Sequence, residues 1–202
     1  DYWVPLDGSV DPGRAYQGVL GLEWSPSPRY RLVLEGYYSD QDDLLVLDGT
    51  TAADSRQSSS QALFKTDGSG RAAGMEVFVE RRTGALRGWL GYTLGWAQRQ
   101  FAELNQGRAF APKYDRRHDV SFVVSYDAGR YRFGSSFVYG TGQAFTPAAA
   151  RYTLRSPATG ELDDSVLPAA RNSARLLPYH RLDVSVRRAV TLGPTEAEIF
   201  LQ

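Results

Sequence analysis

Apolar residues fall on alternate positions along most of this chain. In 114–140, YDRRHDVSFVVSYDAGRYRFGSSFVYG, residues Val120, Phe122, Val124 and Tyr126 share one parity, and Tyr131, Phe133, Phe137 and Tyr139 repeat it after Asp127–Arg130. A period of two marks a strand whose faces meet different surroundings. The Asp-Ala-Gly-Arg stretch between the two runs predicts a turn. With those four residues as the loop, Tyr126 lies opposite Tyr131, Val124 opposite Phe133 and Val120 opposite Phe137. One face of this hairpin is almost wholly apolar. The other carries Asp119, Ser121, Val123, Ser125, Arg132, Gly134, Ser136 and Val138, too small and polar a set for a packed core.

Three further hairpins follow the same rule. With 25–29 as a loop, Trp24 faces Tyr30, Leu22 faces Leu32, Leu20 faces Leu34 and Tyr16 faces Tyr38, so leucines lie between aromatic ends. A turn at Thr83-Gly84 pairs Val79 with Gly88, Val77 with Leu90 and Met75 with Tyr92, and on the reverse face Glu80 with Arg87, Phe78 with Trp89 and Glu76 with Gly91. The last pattern, HRLDVSVRR to EAEIFLQ, pairs Leu182 with Leu201, Val184 with Ile199 and Val186 with Ala197, backed by Arg187 with Glu196 and Ser185 with Glu198.

The connections alternate in length. Short turns lie at Ser25–Pro28, Thr83-Gly84, Asp127–Arg130 and Val190–Pro194, and long polar segments at about 39–73, 98–118 and 141–179. Short turns on one rim, long loops on the other, alternating strands of about ten residues and aromatic girdles describe an outer-membrane barrel, with the apolar face toward lipid and the small polar face toward a wet lumen. A soluble antiparallel sandwich or barrel also alternates, with its apolar residues inward. It explains the long loops and the polar face less well. A passive porin-like channel would share the barrel wall.

Composition narrows these readings. Among 202 residues, 23 basic side chains balance 23 acidic ones, which removes any electrostatic argument for nucleic acid. Aromatics are plentiful, with 12 Tyr, 9 Phe and 4 Trp. The absence of cysteine excludes disulfides and thiolate metal sites. No apolar run approaches the roughly 18 residues of a transmembrane helix, so a membrane reading is a barrel reading. The chain stops on EIFLQ, within a strand pattern, which predicts a piece of a longer protein.

Five stretches, GMEVFVER, LRGWLGYTLGWAQRQF, YDRRHDVSFVVSY, FVYGTGQAFTP and LPYHRLDVSVRR, resemble in type and order the C-terminal half of the barrel of TonB-dependent outer-membrane receptors, of the type with a carboxypeptidase-regulatory-like domain upstream. The resemblance covers the chain from about Tyr16 onward. It implies an all-β, antiparallel transmembrane barrel segment, with short periplasmic turns and long extracellular loops. Such barrels have about 22 strands around a plugged lumen. This chain would supply about eight, and residues 1–202 would form part of a single barrel domain whose plug and closing strand have no counterpart here. The implied function is TonB-coupled uptake of a scarce ligand (a metal chelate, a glycan or a peptide) across the outer membrane of a diderm bacterium. The implied partners are outer-membrane lipid, the protein's own N-terminal plug, TonB through the N-terminal region, the ligand, and a surface lipoprotein.

Candidate chemistry is sparse. His118 and His180 sit in RRHD and HRLD, where long loops re-enter strands, and are expected to form polar pairs at the rim. No nucleophile elbow is present, and neither an enzyme nor a cofactor is expected. SDQDDLLVLD lacks the spacing of a calcium loop, and GSGRAAG and GTGQ lack the ending of a phosphate loop. TAADSRQSSSQ is expected to be a mobile external loop. Ligand contacts are expected from the long loops and upper lumen. Arg116, Arg117, Arg151, Arg155, Arg171 and Arg175 are candidates for an anionic ligand, His118 for a contact to a metal-bearing substrate, and Tyr37, Phe78 and Trp89 for stacking on sugars.

Overall fold

The computed structural model describes residues 12–47, 64–155 and 160–202. Twelve strands appear among them: β1 (Arg14–Ser27), β2 (Tyr30–Leu47), β3 (Phe64–Arg81), β4 (Leu86–Gln100), β5 (His118–Ala128), β6 (Tyr131–Gly140), β7 (Ala144–Phe145), β8 (Ala148–Arg155), β9 (Leu162–Pro168), β10 (Ala174–Arg175), β11 (Tyr179–Leu192) and β12 (Thr195–Leu201). Eight of them form one antiparallel sheet in the order β1-β2-β3-β4-β5-β6-β11-β12. Neighbours in the sheet are neighbours in the chain except where β7–β10 intervene as an excursion beyond the long-loop rim. Among the described residues β1 and β12 remain edges, so the sheet is an open segment of wall.

Burial shows which face needs company. Leu20 is 82% exposed, Leu182 60% and Leu90 42%, all on the apolar face. Among the described residues the few buried apolar side chains, Phe101, Phe110 and Ala144, lie at the long-loop rim and not beneath the sheet. A soluble sandwich of this size would bury one sheet face as its core; here neither face is buried. The apolar face is bounded by aromatics at two levels. Trp24, Tyr30, Tyr126 and Tyr131 stand near the short turns, and Tyr16, Tyr38, Trp96 and Tyr139 near the other rim. The polar face is laced by ion pairs, including Arg31 with Glu23 at 2.8 Å and Arg132 with Asp127 at 2.7 Å.

The faces agree with the sequence pattern, but every hairpin register differs. Leu22 pairs with Leu34, Val79 with Leu90, and Tyr126 with Phe133, each two residues from expectation; Val186 pairs with Leu201, four residues away. An even shift preserves the face of every side chain, so alternation fixes parity while turn length fixes register. In β5–β6 the ladder continues through Asp127↔Arg132 and Ala128↔Tyr131, leaving only Gly129-Arg130 as the turn, because Gly129 (φ 66°) supplies the left-handed conformation. Gly91 therefore lies opposite Phe78 and Ser121, not Glu76.

The expected long loops carry structure of their own where they are described. Segment 39–73 continues as paired strand to Leu47↔Phe64, across a bulge where Asp43 has φ 56°. TAADSRQSSSQ lies outside the described residues. Segment 141–179 contains the β8–β9 hairpin and the β7–β10 pair.

Candidate functional site

The two connections β4–β5 and β6–β11 fold onto each other above the polar face. Beyond β4, Phe101 turns inward and becomes almost wholly buried against Gly68, where an added Cβ would lie 2.2 Å from its ring and 2.8 Å from the Leu44 carbonyl oxygen. Gly68→Ala should therefore displace the ring at a cost of about 1–3 kcal/mol, measured as increased protease sensitivity of 101–117 with the sheet intact. Asn105, Gln106 and Gly107, all at positive φ, then reverse the chain. Phe110 returns to β4, its N–H donating to the Arg99 carbonyl and its carbonyl accepting from Arg99, both at 2.8 Å.

Asp115 locks this segment in place. It is 3% exposed; one carboxylate oxygen accepts the Ala97 N–H at 2.7 Å, and the other takes a charge-assisted bond from Arg175. Arg175 also donates to the carbonyls of Asp115 (2.9 Å) and Gly142 (3.2 Å). Close by, the Thr141 hydroxyl accepts the N–H groups of Arg117 and His118. Asn172, at φ 50°, donates to the Ala111 carbonyl at 2.7 Å, while its own N–H donates to the Thr146 hydroxyl. The two loops are thus fastened at both ends.

Between the fastenings lies an open cavity of about 750 Å³. Its wall includes four cations (Arg99, Arg108, Lys113 and Arg171) with Phe101, Phe110 and Tyr114, and no carboxylate among the described residues lining it. Arg171 stands 5.4 Å over the Phe110 ring and Arg99 5.6 Å over Tyr114. Arg99 Nε is buried without a hydrogen-bond partner among the described residues. Chemically this is a preorganised cationic cleft with aromatic walls, of the size that takes a bulky small molecule.

The candidates named from sequence are dispersed. Arg171 lines the cavity, whereas Arg175 is the lock beneath it. Arg116 lies beside Asp119 at 3.6 Å, over Gly140 on the polar face. Arg117 and His118 turn to the apolar face, one over Trp96 at 4.7 Å, the other accepting from or donating to Tyr92 at 2.9 Å according to tautomer. Arg151 and Arg155 are exposed on β8. Tyr37 lies flat across Gly74 and reaches Gly95 on the polar face, a path that only side-chain-free neighbours leave open. Phe78 and Trp89 stack with centroids 6.0 Å apart, much nearer the short turns. Sequence reasoning missed Arg99, Arg108, Lys113, Phe110 and Tyr114. For the last four the one signal is the run GRAFAPKYD, basic and aromatic together; Arg99, near the end of β4, carries none.

No protein-family model and no curated protein matches the sequence. Among solved structures, the FpvAI–pyocin S2 complex matches with TM-score 0.58 and 12% identity, over 90% of this chain and 22% of that one. The ferripyoverdine receptor of the outer membrane of Pseudomonas aeruginosa matches at 0.54 and 11%, over 89% and 21%. The ferric-catecholate import receptor Fiu of E. coli K12 matches at 0.57 and 14%, over 94% and 23%. These receptors are TonB-dependent, and the likeness is one of fold: an outer-membrane β-barrel, of which this chain spans about a fifth of the neighbours' length.

Proposed function

We propose that this chain is a wall segment of an outer-membrane receptor that captures a scarce, bulky ligand at its long-loop rim and imports it under TonB coupling in a diderm bacterium. The cavity between the two fastened loops carries this reading, because it opens at the rim where a ligand would arrive. Four cations, with no carboxylate among the described lining residues, favour a ligand with negative charge, as a metal chelate or an acidic peptide has, over a neutral glycan. The aromatic walls suit a planar portion of such a ligand. Arg99 and Arg171 would bind it, while Arg175 and Asp115 hold the loops in register. Plug, TonB and a surface lipoprotein are partners of the whole receptor in this proposal. The experiment is calorimetry on the full-length parent protein, with an anionic metal chelate, an acidic peptide and a neutral oligosaccharide as probes. Binding of an anionic probe should weaken roughly tenfold to a hundredfold in Arg171→Ala, as loss of a charge-assisted contact would give. Equal binding of the neutral oligosaccharide by parent and variant, with no anionic binding, would reject the charge assignment.

A further inference from the structure

The arginines of the sheet divide by face. On the polar face Arg31 has Glu23 at 2.8 Å, Arg181 has Asp183 at 2.9 Å, Arg187 has Glu198 at 3.5 Å, and Arg87 and Arg132 share Asp127. Alternation puts Arg81 on the apolar face after Val77 and Val79, and Arg188 there after Val184 and Val186. Their direct cross-strand partners are Tyr30 and Tyr131, and the guanidinium carbons stand 5.8 and 5.5 Å over those rings. At the opposite rim Arg117 stands 4.7 Å over Trp96, which shares the apolar face with Leu90 and Leu94. None of these three has a carboxylate in ion-pair range among the described residues. Arg71 marks the boundary of the pattern: one step beyond the Ala73–Trp96 level on the same face, it already pairs with Asp40 at 3.3 Å.

The levels of these arginines are informative. Arg81 pairs with Gly88, and Trp96 lies eight residues further along β4 (88 to 96). That is roughly 26 Å of strand, or about 20 Å in height at the tilt usual for a barrel, so the two ends bracket most of an apolar band roughly 25 Å tall. An arginine at such an edge extends its head out of the hydrocarbon while its stem stays on apolar surface. The ring beneath fixes the guanidinium plane and leaves its N–H edge for a bidentate acceptor. Water-facing arginines of this wall find that acceptor in the protein. The outward ones have none there, and the phosphate oxygens of lipid lie at their level.

We propose that Arg81, Arg117 and Arg188 bind the phosphate of anionic lipid headgroups, Arg117 at the long-loop interface and the other two at the short-turn interface. The proposal rests on the membrane reading of the apolar face. The test reconstitutes the full-length parent protein in phosphatidylcholine bilayers carrying spin-labelled phosphatidylglycerol or spin-labelled phosphatidylcholine, and compares the motionally restricted fraction of each. The parent should prefer phosphatidylglycerol by about threefold to fivefold, the scale of an arginine's attraction to anionic lipid. Arg81→Gln, Arg117→Gln and Arg188→Gln combined should bring the preference near parity, while lysine at all three positions retains much of it. Arg31→Gln with Arg132→Gln, both on the polar face, should leave it unchanged. If the glutamine variant does not fold, the parent itself decides, since its preference should decline as salt rises from roughly 0.05 to 0.5 M. A folded glutamine variant with undiminished preference, or a parent whose restricted lipid shows no preference, overturns the proposal. A parent with no restricted lipid of either kind overturns the membrane reading beneath it.

Discussion

Arginine in place of Leu90 should lower the stability of the folded barrel by about 2–4 kcal/mol and sharply reduce its yield in the outer membrane, whereas arginine at Gly91 should be tolerated. The two positions are adjacent and differ in face. Leu90 is flanked by Val79 and Phe122 on the apolar side, where a guanidinium would lose water and meet no anion. At Gly91 an added Cβ meets nothing closer than the Ser121 hydroxyl at 3.5 Å. The same polar surface presents Glu35 and Glu76, directly opposed across β2 and β3 and bordering one shallow recess with Gly91. A cation there relieves like-charge repulsion. Leu90→Trp separates lipid from a packed core: lipid accepts the larger ring, whereas overpacking would cost about 1–3 kcal/mol. The measurement is heat-modifiable mobility of the full-length protein in isolated membranes. Loss of folded protein with both Leu90→Trp and Gly91→Arg would reverse the assignment of faces.

Asp115→Ala should have the largest effect on the loop architecture. It removes an almost fully buried carboxylate, leaves the Ala97 N–H without its acceptor and deprives Arg175 of its mate. Breaking a fully buried pair costs about 3–5 kcal/mol; because Arg175 keeps 38% of its side-chain surface exposed, roughly 2–3 kcal/mol is expected here. The loss should be local. Residues 101–117 and 141–178 become protease-sensitive, while barrel mobility on gels is unchanged. Arg175→Ala combined with Asp115→Ala should be less damaging than the sum of the single changes, because the pair acts as a unit. Strict additivity would show that the lock is not a coupled pair.

What could be read from the chain follows from what alternation encodes. Strand identity and face depend only on parity, so Leu20, Leu90, Phe122 and Leu182 are placed correctly from sequence, as are the aromatic ends of the band. Register depends on where the turn closes, and two-residue turns at Pro28-Arg29 (followed by a bulge between Trp24 and Ser27 that restores the facing) and Gly129-Arg130 tighten hairpins that polar composition made look longer. The length of β2 was hidden because SDQDD is polar on both faces and the following LLVL apolar on both, so neither half alternates. The candidate site was least legible. Arg171 was visible as a loop arginine, but Arg99 lies at a strand end, and only the return of Phe110 to β4 brings Arg108, Lys113 and Tyr114 beside it. Long-range loop packing leaves no periodic trace. Arg117 shows the reverse problem: a loop-base arginine by sequence, it turns outward because Trp96 offers its ring there.

The central claim is that one face of this sheet touches lipid and the other water. The direct measurement is a nitroxide scan of the full-length protein in membranes, one label at a time from Val120 through Tyr126, recording relaxation by oxygen and by a water-soluble nickel chelate. Lipid contact should give oxygen maxima at 120, 122, 124 and 126, with nickel maxima, wherever the lumen is open to water, at 121, 123 and 125. Oxygen accessibility without that period of two, or labels at the four even positions shielded from oxygen as in a close-packed core, would contradict the account.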